Sequence, residues 1–231
     1  CLFLMLSVFS SCASKPGGTE NDISERNTEN TTESSGNNVS ENPGRLILPY
    51  CKSDTFNPYT SKTQLNLCLE TLLFDGLYAL SQELFPKGVI AESEETDKEC
   101  LTVKIKSGLT FSDGNSLTAK DVVYSFELAK KSTYSEILTD IESAEAVNGS
   151  TVRFTLSQPD IFALSCLIFP VIPEGQGSSA APAGSGRYRF SEDERLEYNP
   201  SRFEEGSPDI KTVYLSPASG NASDTDSLRI G

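Results

Sequence analysis

The stretch FSDGNSLTAKDVVYSF, residues 111–126, combines acidic side chains, glycine, hydroxyl groups and a lysine within one short run. A calcium loop of the EF-hand type needs oxygen ligands at alternate positions before its glycine and a glutamate at its end, and this run lacks that spacing. A phosphate-binding loop needs the pattern G-x-x-x-x-G-K-[ST], which the chain does not contain. We therefore expect this stretch to bind neither a metal ion nor a phosphate group.

The same residues are typical of local structure. Asp113-Gly114 predicts a turn, because glycine adopts positive φ without steric cost. Thr118 predicts the N-cap of a helix that begins at Ala119. Asp121, at the third helical position, can accept a hydrogen bond from the backbone N–H of the cap. The stretch is thus predicted to be scaffolding.

Gly184-Ser185-Gly186 is the second candidate for chemistry, as a serine nucleophile. A nucleophile elbow has the pattern G-x-S-x-G, but the two outer positions here are Ala183 and Arg187. The chain also has no histidine, which excludes a Ser-His-Asp triad and a Cys-His pair. We predict no catalytic residue and no enzyme activity. The passage is either a flexible segment that lets a ligand approach backbone N–H groups or a plain tight loop.

The six cysteines, at positions 1, 12, 51, 68, 100 and 166, form no C-x-x-C pair. Without histidine they do not suggest a zinc site, and we expect no metal and no other cofactor. The last four could form two disulfides in an exported protein, with three possible pairings, or remain buried free thiols. The sequence leaves both alternatives open.

The formal net charge of the 231-residue chain is −14 at neutral pH. Nucleic-acid binding requires a basic surface, so we expect no nucleic-acid partner. An acidic surface also argues against broad contact with an anionic membrane.

The first twelve residues resemble the end of a bacterial export signal. Residues 1–10, CLFLMLSVFS, form an apolar run with the length of a signal-peptide core, and FSSC at 9–12 resembles a lipoprotein cleavage box. Because the run begins with Cys1, we expect its charged start to be missing. We predict a signal peptide over 1–12 whose Cys12 is lipidated. The alternative is an ordinary signal peptide with an incidental cysteine.

Residues 13–44 consist almost entirely of Ser, Thr, Asn, Glu, Gly and Pro. Such a composition cannot bury enough apolar surface to offset the entropy lost on ordering, so the segment is predicted to be a disordered tether.

A change of pattern at Arg45 marks the start of a folded region. The helical spacing of leucines over 65–73 predicts a helix that stops near Gly76. LTVKIK (101–106) and TVRFTL (151–156) alternate strictly, which predicts two half-buried strands of one antiparallel sheet. Further strands are predicted over 45–50, RYRF, RLEY and 211–216, and a short helix over DIFALSCLIF. The expected fold class is mixed α/β.

The run GLTFSDGNSLTAKDVVYSFE (108–127) closely resembles the signature of the family 5 extracellular solute-binding proteins, G-x-x-FSDG-x-PLTA-x-DVV-x-SFE. Other segments resemble the family in the same order: SDTFNPYTS (53–61), LFDGLY (73–78), AGSGRYRF (183–190) and EYNPSRFEEGSPDIKTV (197–213). The resemblance covers residues 45–231.

The resemblance implies the first lobe of a type II periplasmic-binding-protein fold over 45–231. It implies an inserted subdomain over 77–180 that includes the opening stretch, an incomplete C-terminal end and a missing second lobe. By the same resemblance, the protein would be a monomeric substrate-binding lipoprotein of an ABC importer. It would capture oligopeptides or a related solute at the outer face of the membrane or in the periplasm, and deliver them to permease subunits.

The resemblance also implies two ligand-facing segments between the lobes. These are Asp54, Thr55, Phe56 and Asn57 in the early loop, and Ser185, Gly186 and Arg187 in the glycine-rich passage, where Arg187 replaces the proline of the family pattern. The alternative interpretation is a truncated surface lipoprotein that does not transport and acts in adhesion or sensing.

Overall fold

The computed structural model describes residues 46–191, 193–202 and 208–218. The predicted signal peptide with Cys12, the predicted tether and residues 219–231 lie outside the described residues.

The described ranges are a mixture of helices and strands, as predicted. The helices are α1 (Gln64–Leu73), α2 (Ala119–Ala129) and α3 (Ala163–Cys166). The strands are β1 (Leu46–Tyr50), β2 (Tyr78–Leu80), β3 (Pro86–Gly88), β4 (Ala91–Asp97), β5 (Cys100–Ile105), β6 (Ile141–Asn148), β7 (Thr151–Leu156), β8 (Tyr188–Ser191), β9 (Arg195–Tyr198) and β10 (Thr212–Pro217). Within these ranges, no helix has both the length and the apolar character needed to cross a bilayer.

The first sheet has the strand order β1-β10-β9-β8. β1 pairs with β10 in parallel, while β9 is antiparallel to both of its neighbours. Alternate residues of β10 point to one face, where Val213 and Leu215 are buried. This face packs on α1 through Leu69 and Leu73, and it belongs to one of the two hydrophobic clusters found among the described residues.

The second sheet has the order β4-β5-β7-β6, with antiparallel neighbours throughout. The alternation predicted for β5 and β7 is confirmed, because Val103 lies opposite Val152 and both are fully buried. Helix α2 covers this sheet, and the rings of Phe126 and Phe154 meet edge to face with centroids 5.8 Å apart. These residues belong to the second hydrophobic cluster.

Two strands of the second sheet were not predicted from the sequence. β4 and β6 are its edge strands, and almost all of their residues are exposed. They lack the alternation of buried residues on which strand prediction depends. The helix predicted over DIFALSCLIF is also shorter than its apolar run, since only Ala163–Cys166 is helical.

The structure confirms the turn and the helix cap predicted within residues 111–126. Gly114 has φ of +86°, which favours glycine. The Oδ2 atom of Asp121 accepts hydrogen bonds from the backbone N–H and the hydroxyl of Thr118, at 2.8 and 2.7 Å. Its Oδ1 atom accepts one from the backbone N–H of Glu174 at 2.9 Å. Asp121 therefore both caps α2 and fixes the loop that leads to the glycine-rich passage.

The four cysteines among the described residues are free thiols. Cys51 is buried, Cys68 is exposed, and Cys100 and Cys166 are half-buried. Of the two alternatives that the sequence left open, the structure has thiols rather than disulfides, and only one of these thiols is buried.

Replacing Thr118 by Ala is expected to lower the free energy of unfolding by about 1 kcal/mol, the usual value of an N-cap. Asp121→Ala is expected to lower the free energy of unfolding by about 3 kcal/mol, because it leaves the N–H groups of both Thr118 and Glu174 without their acceptor. Urea unfolding measures both values, with the exposed Lys120→Ala as the control on the same helix. Equal costs for the Thr118 and Asp121 variants would contradict the double role of Asp121.

Candidate functional site

The carboxyl ends of β1 and β10 lie at one edge of the first sheet, because the two strands are parallel. β8 runs in the same direction, since it is antiparallel to β9, which is antiparallel to β10. The turn from β8 into β9 therefore lies at this edge too. In open sheets with parallel strands, ligands bind outside the carboxyl ends of the strands. We name this region, residues 51–55 and 193–195, the carboxyl edge.

An ion pair connects the two segments of the carboxyl edge. The ammonium group of Lys52 bonds to a carboxylate oxygen of Glu194, and 68% of the Lys52 side chain and 34% of the Glu194 side chain remain exposed. The hydrogen bond from Lys52 lowers the pKa of Glu194. Arg195 pairs with Asp193 in the same turn. The edge thus presents two cations and two anions to solvent.

A cavity of about 360 Å³ lies beside this turn. It is lined by Asp193, Glu194, Arg195, Tyr214 and Leu215. Glu194 has φ of +56°, and its carbonyl accepts a hydrogen bond from the N–H of Leu215 at 3.1 Å. The turn is therefore held on β10 by its backbone, with Asp193 exposed and the side chains of Glu194 and Arg195 half-buried.

The base of the early loop is fixed by Asn66 of α1, which is fully buried. Its side-chain oxygen accepts a hydrogen bond from the N–H of Cys51 at 2.8 Å, and its side-chain nitrogen donates to the carbonyls of Cys51 and Thr55 at 3.1 and 3.0 Å. Because these bonds clamp both ends of the segment, Lys52 and Ser53 are held at the surface between them.

Asp54, one of the predicted ligand residues, uses its carboxylate to organise the approach to α1. Oδ2 accepts hydrogen bonds from the N–H groups of Lys62 and Thr63 at 2.9 and 2.7 Å, and from the hydroxyls of Ser61 and Thr63 at 3.0 and 2.7 Å. Burial alone would raise the pKa of Asp54, but these hydrogen bonds outweigh it and hold the pKa well below its usual range. The side chain is a structural cap on the start of the helix.

Phe56 turns away from the carboxyl edge and is only 6% exposed. Its ring lies between those of Tyr50 and Phe190, with centroid distances of 5.7 and 4.6 Å. It therefore fastens the early loop to the buried face of the first sheet.

Asn57 is fully buried and connects the early loop to the loop before the glycine-rich passage. Its side-chain nitrogen donates to the carbonyls of Gly177 and Ser179 at 2.9 and 2.8 Å. The hydroxyl oxygen of Thr55 accepts a hydrogen bond from the N–H of Asn57 at 2.7 Å. The predicted residues Thr55 and Asn57 thus direct their polar atoms inward.

The second predicted segment lies at the other end of α1. The N–H of Gly186 donates to the carbonyl of Leu73, in the last turn of the helix, at 3.0 Å. Asp54 binds the N–H of Thr63, which precedes the first turn. α1 has ten residues and is therefore about 15 Å long. Asp54 and Gly186 therefore lie at opposite ends of this helix, whereas Phe56 lines one small cavity together with Gly184 and Tyr188, which flank the second segment.

Ser185 is buried and its hydroxyl donates to Oδ2 of Asp75 at 3.4 Å. Asp75 forms a largely buried ion pair with Arg202 at 3.2 Å. A cavity of about 430 Å³ lies beside these three residues, and its lining also includes Lys106 and Thr110. Arg187 is exposed at the start of β8.

Sequence reasoning missed Lys52 and Glu194, which are separated by most of the chain. Each is an ordinary charged residue in a polar segment, and no spacing connects them. They meet because β1 pairs with β10, and this pairing is a tertiary contact that no local pattern predicts.

Gly186→Ala is expected to destabilise the protein by about 3 kcal/mol or more, because the new methyl group would overlap the backbone of α1. A Cβ atom at this position would lie 2.4 Å from the carbonyl carbon and 2.6 Å from the carbonyl oxygen of Leu73, and neither is free to move. Gly149→Ala is the matched control, since a Cβ atom there meets nothing within 4 Å. Urea midpoints that are equal for the two variants would contradict this close approach.

Known proteins are similar to this chain in sequence and in fold. The glutathione-binding protein GsiB of Escherichia coli K12 is 24% identical over 197 residues, which cover 77% of this chain and 38% of that protein. Two solved structures are similar in fold: MoaA of A. tumefacien R10 in complex with mannopinic acid, and the oligopeptide-binding protein AppA of Bacillus subtilis in complex with a nonapeptide. MoaA has a TM-score of 0.68 at 23% identity, covering 79% of this chain and 42% of that one. AppA has a TM-score of 0.63 at 23% identity, and the match covers 80% of this chain and 42% of AppA.

The chain spans about two fifths of the length of these relatives. Its fold is that of one lobe of a type II periplasmic binding protein, which confirms the predicted fold type. The family model of the bacterial extracellular solute-binding proteins, family 5 Middle, matches residues 86–227. This chain therefore belongs to the bacterial extracellular solute-binding proteins of family 5.

Proposed function

We propose that this chain is the ligand-receiving lobe of a substrate-binding lipoprotein of an ABC importer. It captures oligopeptides or a related small solute outside the cell membrane and delivers them to permease subunits. Family membership supports the importer role, and the relatives named for glutathione and for a nonapeptide support a peptide-like ligand.

The observation that carries this proposal is the pair of opposite charges at the carboxyl edge. Lys52 and Arg195 are cations, and Glu194 and Asp193 are anions. Lys52 follows β1, and the other three lie in the turn between the antiparallel strands β8 and β9. A peptide carries both an amino and a carboxylate group, so this edge has partners for each. A purely anionic solute would pair only with the two cations of the carboxyl edge, and a purely cationic solute only with its two anions.

In this proposal, Asp54, Thr55, Phe56 and Asn57 position the ligand-facing loop, and Lys52 and Ser53 contact the ligand. The passage Ser185–Arg187 holds the far end of α1. Ser185 remains a candidate for a second contact through the cavity beside Asp75.

The test uses protein expressed from its complete gene and measures thermal stabilisation by a panel of peptides, glutathione and a neutral sugar. A ligand that binds only the folded state raises the melting temperature in proportion to its concentration over Kd. We expect peptides to stabilise the protein and the sugar to leave its melting unchanged. Lys52→Gln should weaken peptide binding about fivefold, since an exposed charge pair contributes at most about 1 kcal/mol.

Lys120→Gln, an exposed lysine on α2, is the matched control and should retain wild-type affinity. Absence of stabilisation by any peptide would contradict the proposed ligand class. An equal loss of affinity in both lysine variants would contradict the carboxyl edge as the site.

We also propose that Cys12 carries lipid and that the tether places the domain just outside the membrane. Two or three acyl chains anchor firmly, because each buried CH₂ contributes roughly 0.8 kcal/mol. Labelling of bacterial cells with radioactive palmitate should mark the wild-type protein and leave Cys12→Ser unlabelled. Cys68→Ser, which removes an exposed thiol of α1, is the control and should label normally. Labelling of the Cys12 variant would contradict the anchor.

A further inference from the structure

Glu70 of α1 is a buried acid that has no role in the proposed ligand site. It is only 5% exposed. One carboxylate oxygen, Oε2, accepts a hydrogen bond from the hydroxyl of Tyr134 at 3.3 Å. The other, Oε1, is buried and has no hydrogen-bond partner in the described part of the chain. A buried unpaired polar atom is costly, and such atoms are rare in folded proteins.

Glu70 lies where the two halves of the fold meet. Its neighbours on α1, Leu69 and Leu73, belong to the hydrophobic cluster of the first sheet. Tyr134 lies in the connection between α2 and β6 and packs against the cluster of the second sheet. The hydrogen bond between Tyr134 and Glu70 therefore joins α1 to the other half of the molecule.

The described titratable groups that act on Glu70 include no cation. They are Tyr134, which donates the hydrogen bond, Asp54, whose negative charge acts through space, and Tyr59. The ring of Tyr59 lies 6.2 Å from that of Tyr134, and its hydroxyl bonds to the carbonyl of Pro170. Among the described residues, an ionised Glu70 carboxylate would thus be a buried negative charge with one hydrogen bond and no counter-ion.

We propose that Glu70 is a proton-dependent latch: while it is neutral it stays buried between α1 and the α2–β6 connection, and when it ionises the buried charge favours opening of this contact to water. The contact matters for the whole lobe, because α1 supports the carboxyl edge through Asn66 and the glycine-rich passage through Leu73. The latch follows from the packing of the fold and does not depend on the identity of the ligand.

The environment of the Glu70 carboxyl group determines whether the stability of the fold rises or falls with pH. Burial raises the pKa of Glu70 to about 8, although the Tyr134 hydrogen bond lowers it in part and the charge of Asp54 raises it further. In the unfolded chain the pKa of a glutamate is about 4.3. The folded state therefore binds the proton more tightly, and its stability is full below about pH 4 and declines as pH rises towards 8.

The experiment compares the wild-type chain with Glu70→Gln, a neutral side chain of the same shape, by thermal unfolding from about pH 5 to pH 9. The melting temperature of the wild type should fall relative to that of Glu70→Gln by roughly 10 °C across this range, as expected for a buried acid with so large a shift in a chain of this size. Because both proteins share every other titrating group, the difference isolates Glu70.

Glu94→Gln is the matched control, because Tyr78 donates a hydrogen bond to Glu94 at 3.0 Å but this glutamate is exposed. It should keep the wild-type pH dependence. Tyr134→Phe removes the hydrogen bond that the described residues give to the Glu70 carboxylate. Because this bond lowers the pKa of Glu70, the decline in stability should extend to higher pH in the variant. Near-ultraviolet circular dichroism reports the local change, because the chain has tyrosines but no tryptophan.

A tyrosine signal that changes with pH in the wild type and stays constant in Glu70→Gln would support the latch. Parallel pH profiles of melting for the wild type and Glu70→Gln would overturn it. So would a Glu94→Gln variant that removes the pH dependence equally well.

Discussion

The parallel pairing of β1 with β10 is the constraint on which the rest of this structure depends. It joins the two ends of the described chain, with Leu46 opposite Val213 and Tyr50 opposite Pro217. Parallel strands need a long connection between them, and here that connection contains the entire second sheet and the three described helices. The pairing also decides which segments share the carboxyl edge, and hence that Lys52 lies beside Glu194.

Helix α1 transmits this constraint through the lobe. One end is fixed by the carboxylate of Asp54 and the amide of Asn66, and the other by the backbone of Gly186. Between these fixed points the helix packs on the first sheet with its leucines and reaches Tyr134 with Glu70. A substitution at any of these contacts therefore affects the position of the same helix, although the residues lie far apart in the sequence.

The sequence predicted the parts of the fold that are set by local patterns. The alternation in β5 and β7, the leucine spacing of α1 and the cap of α2 each depend on neighbouring residues, and each is present in the structure. The edge strands β4 and β6 were missed because both of their faces are largely exposed. The family resemblance of residues 108–127 indicated the fold, since these residues build a turn and a capped helix that the fold requires.

The candidate site was less accessible to sequence reasoning. The resemblance pointed to Asp54 through Asn57, whose side chains prove to be occupied by internal contacts, while their exposed neighbours Lys52 and Ser53 have no distinguishing pattern. No pattern in the sequence predicted that Glu70 is buried. On a helix with a leucine stripe, a glutamate normally lies on the solvent side, whereas this one is buried and accepts a hydrogen bond from Tyr134 of the α2–β6 connection.

The acidic edge strands of the second sheet oppose self-association of the protein at high concentration. Free strand edges are templates for pairing with other chains, and charged side chains along them discourage it. β4 and β6 are the two outer strands of this sheet, and their acids are Glu92, Glu94, Glu95, Asp97, Glu142 and Glu145. Glu92 and Glu145 pair with Lys104 and Arg153 of the inner strands, so the repulsion that opposes edge-to-edge pairing comes mainly from the other four acids. Part of the net charge of −14 thus lies along β4 and β6, the edge strands whose backbone could pair with another chain, and it disfavours aggregation there.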